Sequence, residues 1–457
     1  MIMLIQEKKN TVTEHINDTF DTIMIRDPHQ TEFHQAVKLF FRSITPILEK
    51  NPIYMEKDIL TQLTEPDRII SFRVPWIDDN GSVQVNRGYR VQFNNALGPY
   101  KGGMRFHPSV NTSVVKFLGF NQIFKNALTR QPLGGAKGGA DFDPKGKSDQ
   151  EVMRFCQSFM NELHRYIGPD VDIPAGDIGV GSREIGYLFG QYKKLSGAFH
   201  AGVLTGKGQT YGGSLGRTEA TGYGTVYFTE EMLREHELSF EGSTVVISGS
   251  GNVSIHAMEK ATELGAKVVA CSDSDGYVYD ENGINLETIR ELKDKGDERV
   301  SDYVIHHPNA QYNDTCTDIW SIPCDIALPC ATENELDGHA ASTLIKNGVK
   351  AVAEGANMPS TQEAIDLFIE QDILFGPAKA VNAGGVAVSA LEMAQNSSRM
   401  SWTFDEVDEK LKEIMTDIYQ SCTEIASTYA HPGNLIVGAN IAGFKRVADA
   451  MIAHGVI

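Results

Sequence analysis

The sequence predicts an α/β protein with two domains, and three features of the chain carry this prediction. Residues 68–94 alternate apolar and polar side chains with a period of two, which indicates the strands of a small mixed sheet between helices. Residues 244–271 follow the order strand, tight glycine turn, helix and strand, which is typical of a doubly wound parallel sheet. Between them, the glycine-rich segment 197–217 has no periodicity and predicts a domain boundary.

The first half of the chain has helical patterns on both sides of the alternating segment. Within that segment, Asp78-Asp79-Asn80-Gly81 predicts a hairpin turn. Apolar residues spaced three and four apart predict helices over 31–50, 112–130, 149–167 and 183–195.

The second half alternates helices with short β-branched runs, as expected for buried parallel strands. We expect a helix over 219–237, another that ends near Gly265, and strands over 244–248, 267–271, 325–328, 349–353 and 373–375. The apolar stripe over 439–457 predicts a C-terminal helix, which we expect to return to the first domain.

The amino-acid composition indicates which binding partners are not expected. The chain carries 41 lysine and arginine against 60 aspartate and glutamate side chains, a net charge of −19 with no basic stripe, so we expect no nucleic acid and no anionic membrane. Six cysteines without C-x-x-C spacing favour free thiols, a cytoplasmic protein and no metal site. No run of about 18 uncharged apolar residues occurs, so we expect no membrane span.

The turn after the 244–248 strand has the pattern of a dinucleotide site. Gly249 and Gly251 are the first two glycines of G-x-G-x-x-G, and Ser254 replaces the third. The first glycine makes the tight turn, the second lets a pyrophosphate approach the backbone, and the helix N-terminus supplies free N–H groups. An ordinary strand-to-helix turn without a ligand is the alternative.

Two cofactors remain open from the residues alone. Asp273 follows the second strand, where an acid hydrogen-bonds the ribose 2′-hydroxyl and favours NAD. Nearby Ser272, Ser274, Lys293 and Lys295 could instead receive the 2′-phosphate of NADP.

A second candidate site surrounds three lysines. Lys101 and Lys137 each begin the pattern K-G-G-x-x-F-x-P, so we expect both in glycine turns, and Lys125 shares a helix face with Gln122. If the three amines converge, repulsion and burial lower a lysine pKa into the range of a general acid or base. Asp177 would supply the partner carboxylate. The alternatives are surface lysines and an aspartate that merely caps the helix near Ser182.

Nine motifs give the chain a family resemblance. The sequence resembles the hexameric glutamate dehydrogenases, from about residue 50 to the C-terminus, in YKGGMRFHP, GFNQIFKNALT, PLGGAKGG, PAGDIGVG, GGSLGRTEATGYG, SGSGNV, LPCATENEL, VAEGANMP and NAGGVAVSALEMAQN. The resemblance implies the reversible reductive amination of 2-oxoglutarate with ammonia to L-glutamate, in a homohexamer, with hydride from NADPH or NADH. The motifs CSDSDG and GVLTGKGQTYGGSLGRTEATGYG are more similar to the NADP-using bacterial members, so we expect NADP, with NAD as the alternative.

The resemblance also implies a role for each site residue. Lys137 and Asp177 would be catalytic, and both would handle protons. The substrate would be held by Lys101, Gln122, Lys125, the backbone at Gly176, and Ser389. The cofactor would contact Thr221, Gly249, Gly251, Asn252, Val253, Asp273 and Ser274. We expect Gly134, Gly135, Gly138 and Gly139 to let substrate and nicotinamide lie against Lys137, and Ser254 to affect helix packing only.

The implied architecture has three parts. Residues 1–205 would form a mixed α/β substrate and oligomerisation domain, residues 206–430 a Rossmann-type dinucleotide-binding domain, and residues 431–457 the returning C-terminal helix. Two other functions stay open. A leucine, valine or phenylalanine dehydrogenase shares this architecture, but its apolar pocket would leave the charge of Lys101 unpaired. A nucleotide-sensing scaffold without turnover is the non-enzymatic alternative.

Overall fold

The computed structural model describes residues 11–294 and 299–456. The chain divides into two units. The first unit contains the chain up to Ala127, Gln131–Gly213 and the segment from Asn440 onward, and the second contains Leu128–Arg130 and Ser214–Ala439. Each unit has its own sheet, so the predicted α/β class with two domains is confirmed.

A mixed five-stranded sheet in the order β1-β2-β4-β3-β5 forms the centre of the first unit. β1 and β2 form the predicted antiparallel hairpin, whereas β3 is parallel to both β4 and β5. The strands are β1 (Arg68–Ile77), β2 (Val83–Asn94), β3 (Tyr100–Phe106), β4 (Gly135–Ala140) and β5 (Asp172–Gly176). The helices are α1 (Val12–Arg26), α2 (Thr31–Lys50), α3 (Ile53–Glu56), α4 (Ile59–Thr64), α5 (Thr112–Leu128), α6 (Asp149–Leu163) and α7 (Ser182–Ser196).

Both glycine-flanked lysines lie on strands, so the predicted glycine turns are wrong. Lys101 is in β3 and Lys137 in β4, and these two strands are neighbours in the sheet. The glycines are compatible with strands here because the backbone neighbours approach very closely. A Cβ at Gly102 would lie 1.7 Å from the carbonyl oxygen of Ala136. Glycine in these strands therefore marks close approach of backbone to backbone.

A buried ion pair crosses the sheet of the first unit. Arg90 of β2 donates from Nε and Nη2 to the two carboxylate oxygens of Asp172 in β5, over 2.9 and 2.5 Å. Its Nη1 donates to the carbonyl oxygen of Gly102 in β3, and Gln92 also donates to Asp172. Both charged side chains are fully buried. The pair therefore joins β2 and β5, which flank the two lysine strands, and also contacts β3 itself.

The second unit is built on a seven-stranded sheet in the order β12-β11-β10-β6-β7-β8-β9. β6, β7, β10, β11 and β12 are parallel, as predicted, and β8 and β9 extend one edge with antiparallel pairing. The strands are β6 (Thr244–Ile247), β7 (Lys267–Ser272), β8 (Tyr277–Tyr279), β9 (Gln311–Asn313), β10 (Ile326–Leu328), β11 (Ala351–Ala353) and β12 (Leu374–Gly376). The helices are α8 (Ala220–Glu235), α9 (Asn252–Glu263), α10 (Leu286–Asp294), α11 (Tyr303–His306), α12 (Gly338–Lys346), α13 (Gln362–Glu370), α14 (Ala378–Val381), α15 (Gly384–Ser398) and α16 (Phe404–Tyr429).

The last helix, α17 (Leu435–His454), returns to the first unit as expected. Phe444 packs edge-on against Phe40 of α2, and Tyr54 donates a hydrogen bond to Asp449 over 2.8 Å. Gly443 lies where a Cβ would meet the backbone of Phe124 in α5. None of the described helices is long and apolar enough to cross a membrane.

The buried pair yields a stability prediction. The substitution Asp172→Asn leaves the Arg90 guanidinium buried without its counter-charge, so we expect the free energy of unfolding to fall by about 3–5 kcal/mol. Urea denaturation followed by circular dichroism measures the loss. The control is Glu162→Gln, which breaks the exposed pair with Arg165 and should cost less than about 1 kcal/mol. Equal losses in the two variants would contradict this account of the buried pair.

Candidate functional site

The first unit brings the two predicted catalytic residues into contact. Lys137 Nζ lies 3.1 Å from Asp177 Oδ2, and Arg105 Nε donates to the same oxygen over 2.9 Å. Lys137 is only 6% exposed. Asp177, whose side chain is 18% exposed, lines an open cavity of about 480 Å³ together with Pro144 and Lys145.

The surroundings of Lys137 and Asp177 lower the pKa of both groups. Burial is the largest influence on Lys137 and lowers its pKa, Arg105 and Arg90 lower it further, and the carboxylate of Asp177 opposes them. Burial alone would raise the pKa of Asp177, but Lys137 and Arg105 overcome that effect and hold it below its usual value. The predicted fall in the lysine pKa therefore agrees in direction, although the repulsion comes from arginines. The contact suits proton exchange, because the amine can lose its proton while Asp177 remains ionised.

One glycine makes room for this contact, and it is Gly103. A Cβ there would lie 2.9 Å from Asp177 Cβ and 3.3 Å from Lys137 Nζ. The interpretation of the other four glycines as space for ligands is wrong. At Gly134, Gly135, Gly138 and Gly139 the Cβ position is within 2.7 Å of protein atoms, mostly carbonyl oxygens of adjacent segments. Those glycines allow the backbone to pack closely.

The predicted substrate-binding residues of this unit surround the two lysine strands. Lys101 is 1% exposed, and its Nζ donates to the hydroxyl of Thr205 over 2.8 Å. Gln122 of α5 donates to Asn126, which in turn donates to the carbonyl oxygen of Lys101. Lys125 is half-buried, three residues after Gln122 on the same helix. Gly176 ends β5 beside Asp177. Asn126 also donates to the carbonyl oxygen of Gly134, directly before β4, so α5 is linked to both lysine strands.

The nucleotide turn of the second unit has the geometry that its glycines predict. Gly249 has φ +85° and donates to Ser272 over 2.8 Å. A Cβ at Gly251 would meet nothing within 4 Å, so the backbone there is open to a ligand. Gly251 caps α9, whose first residues are Asn252 and Val253, and Asn252 donates to the carbonyl oxygen of Thr218. The buried hydroxyl of Ser254 donates to the carbonyl oxygen of Ser248, so the serine is accommodated by local packing.

Asp273 is held by the protein itself. Its Oδ1 accepts a hydrogen bond from the backbone of Asp275 and its Oδ2 one from the backbone of Val300. Beside it, Arg299 contacts the exposed Ser274 hydroxyl over 3.4 Å and the carboxylate of Asp275 over 3.3 Å. Arg299 and Ser274 thus place a guanidinium and a hydroxyl beside Asp273, just after β7. Lys295 lies outside the described residues.

Ser389 lies in α15 of the second unit, and Thr221 contacts the same helix. Ser389 belongs to α15 and is 2% exposed, and the Thr221 hydroxyl lies 2.7 Å from the Cβ position of Gly385 in that helix. Arg217 lies close to Gly385 as well. Burial lowers the pKa of its guanidinium, and Glu392 opposes the shift.

Sequence reasoning missed four residues of these sites, namely Arg105, Thr205, Arg217 and Arg299. Arg105 and Arg217 stand inside the motifs YKGGMRFHP and GGSLGRTEATGYG, so the signal was present without an assigned role. Arg299 is 26 positions after Asp273, and only the fold brings it to Ser274. Among the described residues, no cluster of three or more histidine, cysteine, aspartate or glutamate side chains could hold a metal ion.

Comparison with known proteins agrees with this geometry. Residues 212–455 match the Glutamate/Leucine/Phenylalanine/Valine dehydrogenase family, and residues 66–194 match the dimerisation domain of the Glu/Leu/Phe/Val dehydrogenases. The chain is 56% identical over 448 residues to the NADP-specific glutamate dehydrogenase of Helicobacter pylori, covering 97% of this chain and 100% of the relative. It is 59% identical over 435 residues to that of Salmonella typhimurium, covering 94% and 96%.

A solved structure shows the same fold. The crystal structure of Plasmodium falciparum glutamate dehydrogenase matches with a TM-score of 0.95 at 51% identity, over 100% of this chain and 98% of that chain.

The shared carboxylate oxygen yields a prediction on pKa. The substitution Arg105→Gln removes a positive charge that lowers the pKa of Lys137, so we expect the Lys137 pKa to be higher in the variant than in the wild type. The pH dependence of Lys137 carbamylation by cyanate, followed by mass spectrometry, measures it. The control is Arg183→Gln, whose guanidinium pairs with Asp149 and Glu184 and should leave the Lys137 profile unchanged. An unchanged profile in the Arg105 variant would remove Arg105 from the proton-exchange site.

Proposed function

This chain belongs to the Glutamate/Leucine/Phenylalanine/Valine dehydrogenase family, and we propose that it is an NADP-dependent glutamate dehydrogenase. It converts 2-oxoglutarate, ammonia, NADPH and a proton to L-glutamate, NADP+ and water, reversibly. The observation that carries the proposal is the buried amine of Lys137 in contact with the carboxylate of Asp177. The near-complete match to two NADP-specific glutamate dehydrogenases supports the same reaction and cofactor.

Lys137 and Asp177 handle the protons of the amination. Ammonia adds to the C2 carbonyl of 2-oxoglutarate and gives a carbinolamine. Lys137 Nζ donates a proton to the carbinolamine oxygen, which leaves as water, and the imine remains. Asp177 Oδ2 exchanges protons with the amine nitrogen, and Arg105 keeps that carboxylate ionised between transfers. The nicotinamide, when bound, supplies the hydride that reduces the imine.

Lys101 selects a dicarboxylate substrate. Its ammonium group binds the side-chain carboxylate, with help from Ser389, while Gln122, Lys125 and the backbone at Gly176 bind the α-carboxylate. An ammonium group that is 1% exposed and donates to Thr205 suits a substrate carboxylate better than an apolar side chain such as leucine, because apolar groups do not solvate a buried charge. This argument favours glutamate over branched-chain or aromatic amino acids.

Ser274 and Arg299 receive the 2′-phosphate of NADP. Each oxygen of Asp273 already accepts one backbone hydrogen bond, which holds this carboxylate in the turn and leaves it fewer lone pairs for a ribose 2′-hydroxyl. The Arg299 guanidinium and the Ser274 hydroxyl suit a phosphate instead. The turn fits a dinucleotide, because Gly249 adopts a positive φ and the Cβ position of Gly251 is open. Thr221, Asn252 and Val253 complete the cofactor contacts.

The oligomeric state, the cellular location and the roles of the domains are inferred from the proposed glutamate dehydrogenase activity. We infer a homohexamer of cytoplasmic subunits that assimilates ammonia, and the match to a dimerisation domain supports self-association. Residues 1–205 would bind the substrate and the other subunits, residues 206–430 the dinucleotide, and residues 431–457 would form the returning helix.

Initial rates of the purified protein test the reaction. With 2-oxoglutarate and ammonium, we expect NADPH oxidation to exceed NADH oxidation by at least about tenfold in kcat/KM. The loss of reduced-nicotinamide absorbance measures both rates. A preference for NADH would keep the reaction and reverse the cofactor. Turnover of 2-oxo-4-methylpentanoate in place of 2-oxoglutarate would indicate a leucine-type enzyme, and no rate with any of these substrates would support the nucleotide-sensing scaffold.

A substitution at Arg299 tests the phosphate site. In Arg299→Gln the charge-assisted hydrogen bonds to the 2′-phosphate are lost, so KM for NADPH should rise by about tenfold or more, whereas KM for NADH should change less than about twofold. The matched control is Lys350→Gln, which removes a cation that pairs with Asp325 at the amino edge of the same sheet and should alter neither value. Equal increases for both cofactors in the Arg299 variant would place the 2′-phosphate elsewhere.

A further inference from the structure

One buried carboxylate of the second unit has no part in the reaction described above. Glu354 directly follows β11 and is 4% exposed. Among the described residues no basic side chain forms an ion pair with it. A buried carboxylate without a counter-ion is costly to a fold, and its presence calls for a specific use.

Glu354 joins two loops at the carboxyl edge of the parallel sheet. Its Oε2 accepts a hydrogen bond from the backbone N–H of Ala378 over 2.8 Å, at the start of α14 after β12. Its Oε1 accepts one from the backbone N–H of Ser360 over 3.2 Å, at the end of the loop after β11. Each oxygen of the carboxylate thus fastens a different segment.

Both fastened segments carry an asparagine. Asn382 follows α14, is 4% exposed, and donates from Nδ2 to the carbonyl oxygen of Ala356 and to Oδ1 of Asn357, each over 3.0 Å. Asn357 is exposed at the tip of the loop after β11, next to Met358, which has a positive φ. The two amides therefore form one polar patch. The two segments that carry them are both hydrogen-bonded, through a backbone N–H group, to the carboxylate of Glu354.

The place of this patch in the sheet indicates its ligand. Asp273, Ser274 and Arg299 lie beyond β7, on one side of β6, whereas β10, β11 and β12 lie on the other side. A dinucleotide in a doubly wound fold spans the carboxyl edge across the first strand. With the adenosine half beyond β7, the nicotinamide half falls toward β10 and β11.

We propose that Glu354 is a positioning residue that holds Asn357 and Asn382 in place for the nicotinamide half of the dinucleotide. The inference rests on the proposed function. An ionised carboxylate accepts on both oxygens, whereas a glutamine amide accepts on one and donates on the other, so the amide cannot fasten both segments. Burial raises the pKa of Glu354 to about 7, and the neighbouring carboxylate of Glu335 adds to the rise. Loss of the charge in Glu354→Gln therefore poses little threat to folding at mildly alkaline pH.

Two ligands that share the adenosine half distinguish a loss of nicotinamide positioning from a general loss of dinucleotide binding. Isothermal titration calorimetry of full-length wild type and Glu354→Gln would measure Kd for NADPH and for adenosine 2′,5′-bisphosphate, which lacks the nicotinamide half. We expect Kd for NADPH to rise about tenfold and Kd for the bisphosphate to stay within about twofold. The fluorescence enhancement of bound NADPH should fall as well, because it reports on the nicotinamide itself.

The control is Asp325→Asn. Asp325 also accepts a backbone N–H, from Thr244 over 2.8 Å, but at the amino edge of the same sheet, so both Kd values should match the wild type. If Glu354→Gln does not fold, Glu354→Asp serves, because its shorter side chain cannot reach both segments. Equal changes for the two ligands, or none, would overturn the inference and leave the proposed function standing. A wild-type protein that does not bind NADPH would overturn the proposed function and this inference with it.

Discussion

The site depends on one carboxylate oxygen that is shared by two cations. Asp177 Oδ2 lies within 3.1 Å of the Lys137 amine and within 2.9 Å of the Arg105 guanidinium. Arg105 cannot lose its proton, so Asp177 keeps a counter-charge whichever form the lysine takes. Burial then lowers the lysine pKa without transferring the proton permanently to the aspartate. The contact among Asp177, Lys137 and Arg105 requires β3, β4 and β5 to approach very closely. This close approach explains the glycines around the lysines.

Backbone hydrogen bonds to carboxylates recur as a positioning device in the second unit. Asp273 is held by two backbone N–H groups near β7, Glu335 accepts from Ala331 and Thr332 after β10, and Glu354 joins the segments after β11 and β12. Each fixes a loop at the edge where a dinucleotide binds in doubly wound folds. Loops carry function but are intrinsically mobile, and these carboxylates hold the loops in place through backbone N–H groups.

Asp273 and Arg299 show that a rule based on local sequence spacing can fail to predict the cofactor. An acid after the second strand predicts NAD, because the rule assumes that its carboxylate is free to bind a ribose. Here the chain folds back so that the backbone at Val300 takes one oxygen and Arg299 reaches Ser274. The similarity of whole motifs to NADP-using relatives gave the better expectation. The deciding contact spans 25 positions of sequence, which no spacing rule encodes.

The sequence alone determined the two sheets, most helices and strands and the nucleotide turn, because periodicity and glycine punctuation are local properties of the chain. It also singled out Lys137 and Asp177, which the structure brings into contact. Lys101 and Lys137 were recognised from their glycine settings but wrongly placed in turns, since glycine signals a turn and a close backbone approach equally well. The tertiary structure decided what local pattern cannot. It brought Arg105 to Asp177, filled the space beside Gly138 with protein atoms, and joined two distant loops at one buried carboxylate.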